Sequence, residues 1–120
     1  MSTVQQISLE RGVELFNEQR YFEAHEEWEE EWRLMPEGED KTFFQGLIFA
    51  AAAFLHYTRR ECAGAKELLN QCFSSLRIAM AERTGINVEE FLQDLGRLRE
   101  VFGSCRFELD ERGLPIIQRM

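Results

Sequence analysis

Residues 43–55 read FFQGLIFAAAAFL, and this segment decides the fold class of the chain. It is apolar nearly all round, so a helix built from it has no face to turn towards water. Such a helix belongs in the middle of a helical bundle. Gly46 and the four alanines at 50–53 would let the backbones of neighbouring helices come close. We therefore predict an all-α fold in which a helix at about residues 41–59 is central.

Apolar residues recur at helical spacing on both sides of this segment. The spacing predicts four further helices, at about residues 9–17, 22–34, 63–82 and 88–102. Ser8, Asp40 and Asn87 precede three of these helices and are predicted as their N-caps. Residues 103–120 are predicted to form an extended tail over the bundle, with a strand-like alternation at 106–109.

The first two helices carry a pattern of small and large residues. Gly12, Ala24 and Trp28 follow the spacing of a tetratricopeptide helical hairpin. Ala53 and Ala65 repeat the Gly12–Ala24 separation further along the chain. We predict one domain over residues 1–120, a five-helix bundle of stacked helical hairpins with tetratricopeptide-like packing.

Composition excludes several classes of partner. The chain has 120 residues and a formal net charge of −8, and nucleic acids and anionic membranes are held by basic patches that it lacks. The N-terminal residues show no signal peptide, and the longest apolar run, 47–55, is far shorter than the ~20 residues of a membrane span. We expect an acidic, cytoplasmic protein with neither nucleic acid nor membrane as a partner. Its three cysteines are odd in number and form no C-x-x-C pair, and reduced thiols are expected because no export signal is visible.

The polar residues that could carry chemistry lie on the second and third helices. His25 and Glu29 are one helical turn apart, beside Trp32. Gln45 and His56 are eleven residues apart, about three turns, and project from nearly the same face of their helix. If the two helices pack antiparallel, one pocket could gather His25, Glu29, Gln45 and His56.

A purely structural interpretation of this cluster stays open. A histidine among aromatic residues is often a core residue, and a buried polar network can exist only to fix the packing. Glu29 can pair with Arg33 instead of with His25. The remaining acids are expected to form a solvated face, namely Glu23, Glu27, Glu30 and Glu31.

Known catalytic templates fit poorly. His25-Glu26-x-x-Glu29 lacks the second histidine of the zincin motif H-E-x-x-H, and the Glu-x-x-His motif of di-iron bundles is absent. A zinc site made by His25, Glu29 and His56 remains geometrically possible. The sequence has no glycine-rich phosphate loop, so no cofactor is predicted.

Several motifs resemble those of the small helical proteins grouped as domain of unknown function 309. These are Leu15-Phe16-Asn17, Tyr21-Phe22-Glu23-Ala24-His25-Glu26, Glu30 with Trp32-Arg33, Phe44-Gln45-Gly46-Leu47-Ile48 and His56. The resemblance covers roughly residues 9–80. It implies an all-helical fold and a shared cluster containing His25, Glu26, Gln45 and His56, and it implies no particular reaction. Gln19 departs from the pattern, where glycine is common.

Two hypotheses for function follow. The first is a non-catalytic module that binds a protein or small-molecule partner, or itself as a homodimer. The second is a metal- or small-molecule-binding enzyme of hydrolase type that uses His25, Glu29, Gln45 and His56.

Overall fold

The first four helices of the chain follow one another with short connections, at residues 18–20, 33–38 and 59–61. The computed structural model describes residues 1–77, 84–103 and 114–119, and within these ranges there are five helices. They are α1 (Thr3–Asn17), α2 (Tyr21–Trp32), α3 (Glu39–Thr58), α4 (Cys62–Leu76) and α5 (Val88–Gly103). α1 packs on α2, α2 on α3, α3 on α4, and α4 on α5. The all-α prediction is confirmed, and tetratricopeptide-like packing stays a prediction.

α3 is buried along most of its length, as its apolar sequence predicts. It lies between α2 and α4, and ten of its twenty residues are buried. Gly46 faces α4 so closely that an added Cβ would lie 2.6 Å from the Leu76 Cδ2 atom. The residue without a side chain therefore allows α3 and α4 to approach each other.

An aromatic cluster connects four of the helices. The Phe16 ring of α1 meets Tyr21 of α2, Phe54 of α3 and Phe91 of α5 edge-on, at centroid distances of 5.1, 5.5 and 5.7 Å. Tyr21 also stacks on Phe54 at 5.5 Å. Edge-on and offset arrangements are the favourable ones for aromatic rings. The cluster fixes the positions of α1, α2, α3 and α5 relative to one another.

α1 and α2 come into close contact at Gly12. The indole of Trp28 is fully buried, and its Nε1 donates a hydrogen bond to the Leu9 carbonyl at 3.3 Å. A Cβ at Gly12 would lie 1.9 Å from the same nitrogen. The small and large residues noted in the sequence therefore meet across this interface.

Two of the predicted helix starts are wrong. α1 begins at Thr3 because Ser2 and Gln5 form a capping box, in which each side chain bonds the other residue's backbone. Ser8 lies inside α1, where its hydroxyl donates to the Glu27 carbonyl at 3.2 Å. α3 begins at Glu39, which places Asp40 in the first turn and not at the cap.

The predicted cap of α5 is confirmed. The Asn87 side-chain oxygen accepts from the Glu90 backbone N–H at 3.1 Å. The sequence departs from the family pattern at Gln19, where glycine is common. Gln19 lies two residues after the end of α1 and has a φ of 64°, a conformation that favours glycine.

The last described segment, 114–119, is non-helical chain that lies on the bundle. Ile117 is buried, and both of its backbone polar groups bond the Asn17 side chain, at 2.9 and 2.7 Å. Arg119 forms an isolated antiparallel bridge with Ile86. The predicted extended tail is confirmed for these six residues. The predicted helix end at 78–82 and the alternation at 106–109 lie outside the described residues.

The expectation of reduced thiols holds only in part. Cys72 is a free, buried thiol, whereas Cys62 is disulfide-bonded. Local sequence cannot show such pairing, because tertiary contacts decide which cysteines meet. Cys105 lies outside the described residues. Among the helices described above, none is both long and apolar enough for a bilayer span.

Candidate functional site

α2 presents two different faces, and the polar candidates lie on the face towards α3. Its Ala24 and Trp28 side chains are buried in the core, with Tyr21. His25 and Glu29 are turned away from the core centre, and about a quarter of each side chain is exposed (25% and 28%). Both groups are therefore partly desolvated while water still reaches them.

A groove of about 250 Å³ lies between α2 and α3, and we call it the α2–α3 groove. Its polar lining residues are His25, Glu29 and Gln45. Its apolar lining residues are Trp32, Ile48, Phe49, Ala52 and Leu68, the last from α4. An apolar wall with a few convergent polar groups is the usual composition of a ligand-binding site.

Glu29 connects an imidazole to a guanidinium. Its Oε2 atom lies 3.3 Å from the His25 Nδ1, and its Oε1 atom lies 2.6 Å from an Arg33 Nη2. Both contacts are between residues one turn apart on α2, which is the spacing at which helical side chains meet. The two pairings that the sequence offered as alternatives therefore occur together.

Glu26 adds a second carboxylate to this cluster. Its Oε1 atom lies 3.4 Å from the His25 Nδ1, although its side chain is mostly exposed and it does not line the groove. One donor atom from each of His25, Glu26 and Glu29 lies within 4.8 Å of the others. A nitrogen and two carboxylate oxygens are a ligand set that zinc accepts.

Two contacts at the ends of the interface set the register of α2 against α3. The Lys41 ammonium lies over the Trp32 ring, 4.5 Å from its centroid, and Tyr21 stacks on Phe54. Between these contacts, antiparallel packing places Glu29 level with Gln45, that is, at the same height along the two helix axes. Glu29 and Gln45 therefore face each other across the groove, and the predicted antiparallel arrangement is present.

His56 is not part of the groove. By the same register His25 is level with Phe49, and His56 follows Phe49 by seven residues, a rise of roughly 10 Å along the helix. The His56 Nδ1 instead forms a hydrogen bond with the Glu61 carboxylate at 2.8 Å. Its ring also lies against Gly64, where an added Cβ would come within 3.1 Å. The structure thus brings together His25, Glu26, Glu29 and Gln45, and it places His56 at the α3–α4 turn.

Sequence reasoning missed two parts of the groove wall. Ile48 looks like an ordinary core position, and Leu68 belongs to the apolar stripe of another helix. The apolar spacing of α4 shows that Leu68, in the middle of that helix, is directed towards other helices, but it does not show which groove Leu68 lines. Trp32, in contrast, stood out because it shares a helical face with His25 and Glu29.

The chain matches the family described as "Domain of unknown function (DUF309)" over residues 9–68. It belongs to the DUF309 family. All residues that line the α2–α3 groove fall inside the matched segment, from His25 to Leu68. The DUF309 match therefore includes the whole of this candidate site.

The chain is also similar to a curated protein of a bacterium. The chain is 39% identical over 98 residues to the "Uncharacterized protein YpuF" of Bacillus subtilis (strain 168). The aligned part is 82% of this DUF309 chain and 53% of YpuF, so the chain spans about half the length of that relative.

Proposed function

We propose that this DUF309 domain is a non-catalytic, cytoplasmic binding module whose α2–α3 groove takes a ligand with an apolar body and a cationic head. The observation that carries the proposal is the lining of the groove, in which His25, Glu29 and Gln45 stand among five apolar side chains. An apolar body would pack on the α3 side chains, and a cation would bond the Glu29 carboxylate.

The charges near the groove favour a cation over an anion. Glu29 and Glu26 both approach the His25 Nδ1, and Arg33 balances only one carboxylate. A binding role is better supported than catalysis because the lining holds one imidazole and no serine or cysteine. The hydrolase alternative that needs both histidines has lost the support of His56.

Benzamidine is a suitable probe, because it joins an apolar ring to a planar cation that matches a carboxylate. In an NMR titration we expect benzamidine, and not benzoate, to shift the Trp32 indole and His25 ring resonances. Glu29→Gln should weaken benzamidine binding about tenfold, the effect of one charge-assisted hydrogen bond.

The controls are matched substitutions elsewhere on the chain. Gln45→Met should weaken binding while Gln93→Met, at an exposed position of α5, should not. Glu100→Gln is the corresponding control for Glu29→Gln. Equal shifts with benzoate, or unchanged affinity of both groove variants, would refute the proposal.

A metal site is the second candidate, favoured by the three donor atoms of His25, Glu26 and Glu29. The Arg33 guanidinium competes with a metal for Glu29. Calorimetric titration with Zn²⁺ should therefore show weak binding that Arg33→Met strengthens and His25→Ala abolishes. Equal zinc binding by the His25→Ala variant would exclude this site.

A further inference from the structure

A second groove lies on the other flank of α2, against α1, and its lining combines exposed aliphatic side chains with carboxylates. We call it the α1–α2 groove, and its volume is about 260 Å³. Val4 and Ile7 of α1 and Leu34, just after α2, line it with 64%, 48% and 79% of their surface exposed. These are three of the five exposed large hydrophobic residues in the described ranges. Their grouping marks a candidate interaction surface.

The carboxylates of this groove carry an unbalanced negative charge. Glu27, Glu30 and Glu31 line it together with one basic residue, Arg11. Arg11 lies 3.9 Å from Glu27, whereas Glu30 and Glu31 form no ion pair with any residue in the described ranges. Two carboxylates are thus available to an incoming cation.

The register of α1 against α2 interleaves the two kinds of side chain. The Ser8 hydroxyl bonds the Glu27 carbonyl at 3.2 Å, which makes these two residues level. One turn away in each antiparallel helix, Val4 is therefore level with Glu31. A partner must offer apolar groups and positive charges side by side to satisfy this surface.

We propose that the α1–α2 groove docks a basic amphipathic helix of a partner protein. Two antiparallel helices leave a furrow along their axes into which the ridge of a third helix fits. Apolar residues of that helix, at i, i+3 and i+7, would cover Val4, Ile7 and Leu34. Its flanking Lys and Arg residues would bond Glu30 and Glu31.

Other occupants fit the charge less well. A second copy of this chain, with its net charge of −8, would place acidic grooves against each other. Nucleic acids and anionic lipids would meet the same repulsion. This surface is separate from the α2–α3 groove, so the proposal does not depend on the function proposed for that groove.

The test uses the full chain and fluorescein-labelled helical peptides. One peptide is an amphipathic pattern of Leu and Lys, and its matched partner carries Glu in place of Lys. Fluorescence anisotropy should show salt-sensitive binding of the Leu/Lys peptide only. The double variant Glu30→Lys/Glu31→Lys should raise its Kd about tenfold, since two charge pairs at a rim are lost.

Matched variants separate local from general effects. Glu67→Lys/Glu100→Lys makes the same change of net charge outside the groove and should leave Kd within about twofold. Leu34→Ser should raise Kd about tenfold, whereas Ile116→Ser, at an exposed position of the tail, should not. All these sites are exposed or partly exposed, and thermal melts of each variant verify folding.

The possible outcomes decide the proposal. Selective loss of binding in the Glu30/Glu31 and Leu34 variants supports it. Equal binding of the acidic peptide, or equal loss in the Glu67/Glu100 control, overturns it. Self-association in analytical ultracentrifugation that disappears with Leu34→Ser would also overturn it, because the occupant would then be a second copy.

Discussion

Two glycines inside helices offer a sharp test of the α1–α2 interface. Gly12 lies in α1 and Gly96 in α5, and alanine would suit the helical backbone at either place. An added Cβ at Gly12 would lie 1.9 Å from the Trp28 Nε1 and 2.1 Å from its Cε2. The same atom at Gly96 meets nothing within 4 Å. Identical substitutions should therefore have opposite effects on stability.

The magnitudes follow from helix propensity and from packing. Gly96→Ala should raise the free energy of unfolding by about 0.5–1 kcal/mol, the usual gain of alanine over glycine in a helix. At Gly12 the same gain is opposed by displacement of the buried Trp28 indole, which costs about 1–3 kcal/mol. Loss of the Trp28–Leu9 hydrogen bond adds about 1 kcal/mol. Gly12→Ala should thus lower the free energy of unfolding by about 1–3 kcal/mol.

Urea denaturation followed by helical circular dichroism measures both variants on the same scale. Wild-type-like m-values would show that the two transitions are comparable. We also expect the Trp28 indole N–H resonance to move in the Gly12→Ala variant and not in the Gly96→Ala variant. A Gly12→Ala protein as stable as the wild type would refute the close packing of Gly12 on Trp28.

Three further predictions concern buried or partly buried groups. Tyr21→Phe should raise the free energy of unfolding by up to about 1 kcal/mol at neutral pH, because the Tyr21 hydroxyl is buried with no hydrogen-bond partner in the described ranges. Burial also raises the pKa of Tyr21 above its ordinary value of 10.0, so above pH 10.0 Tyr21 ionises in the unfolded chain before it ionises in the folded one. In denaturation at high pH, the free energy of unfolding of the wild type should therefore fall by about 1.4 kcal/mol per pH unit relative to Tyr21→Phe. Asn17→Ala should lower the free energy of unfolding by about 1–3 kcal/mol because it removes two hydrogen bonds to Ile117. Hydrogen exchange of the Ile117 amide should accelerate in this variant. Unchanged exchange would contradict the docking of the tail. Burial raises the pKa of the Cys72 thiol, so a thiol reagent should label Cys72 only on unfolding, and rapid labelling of the native chain would contradict its burial.

The helical pattern was readable because it depends on local spacing. The segment 43–55 predicted a buried central helix, and α3 is that helix. The start of α1 was missed because Val4 and Ile7 are exposed. The first turns of α1 therefore have no stripe of buried apolar residues from which a helix could be predicted. The Ser2–Gln5 capping box was the signal that could have located this start.

The candidate site was predictable along one helix but not across two. His25, Glu29 and Trp32 share a face because of their spacing on α2, and all three line the groove. Gln45 and His56 also share a face, but eleven residues separate them by roughly 16 Å along the axis of α3. A helical wheel shows the direction in which a side chain projects from the helix axis, but it does not show the position of the residue along that axis.

The sequence by itself determined the all-α class, the central position of α3 and the polar face of α2. Only the tertiary structure decided which residues of α3 stand opposite that face. The physical reason is that the register of α2 against α3 depends on contacts between helices, Lys41 on Trp32 at one end and Tyr21 on Phe54 at the other. Those contacts place Gln45 in the α2–α3 groove and leave His56 with Glu61.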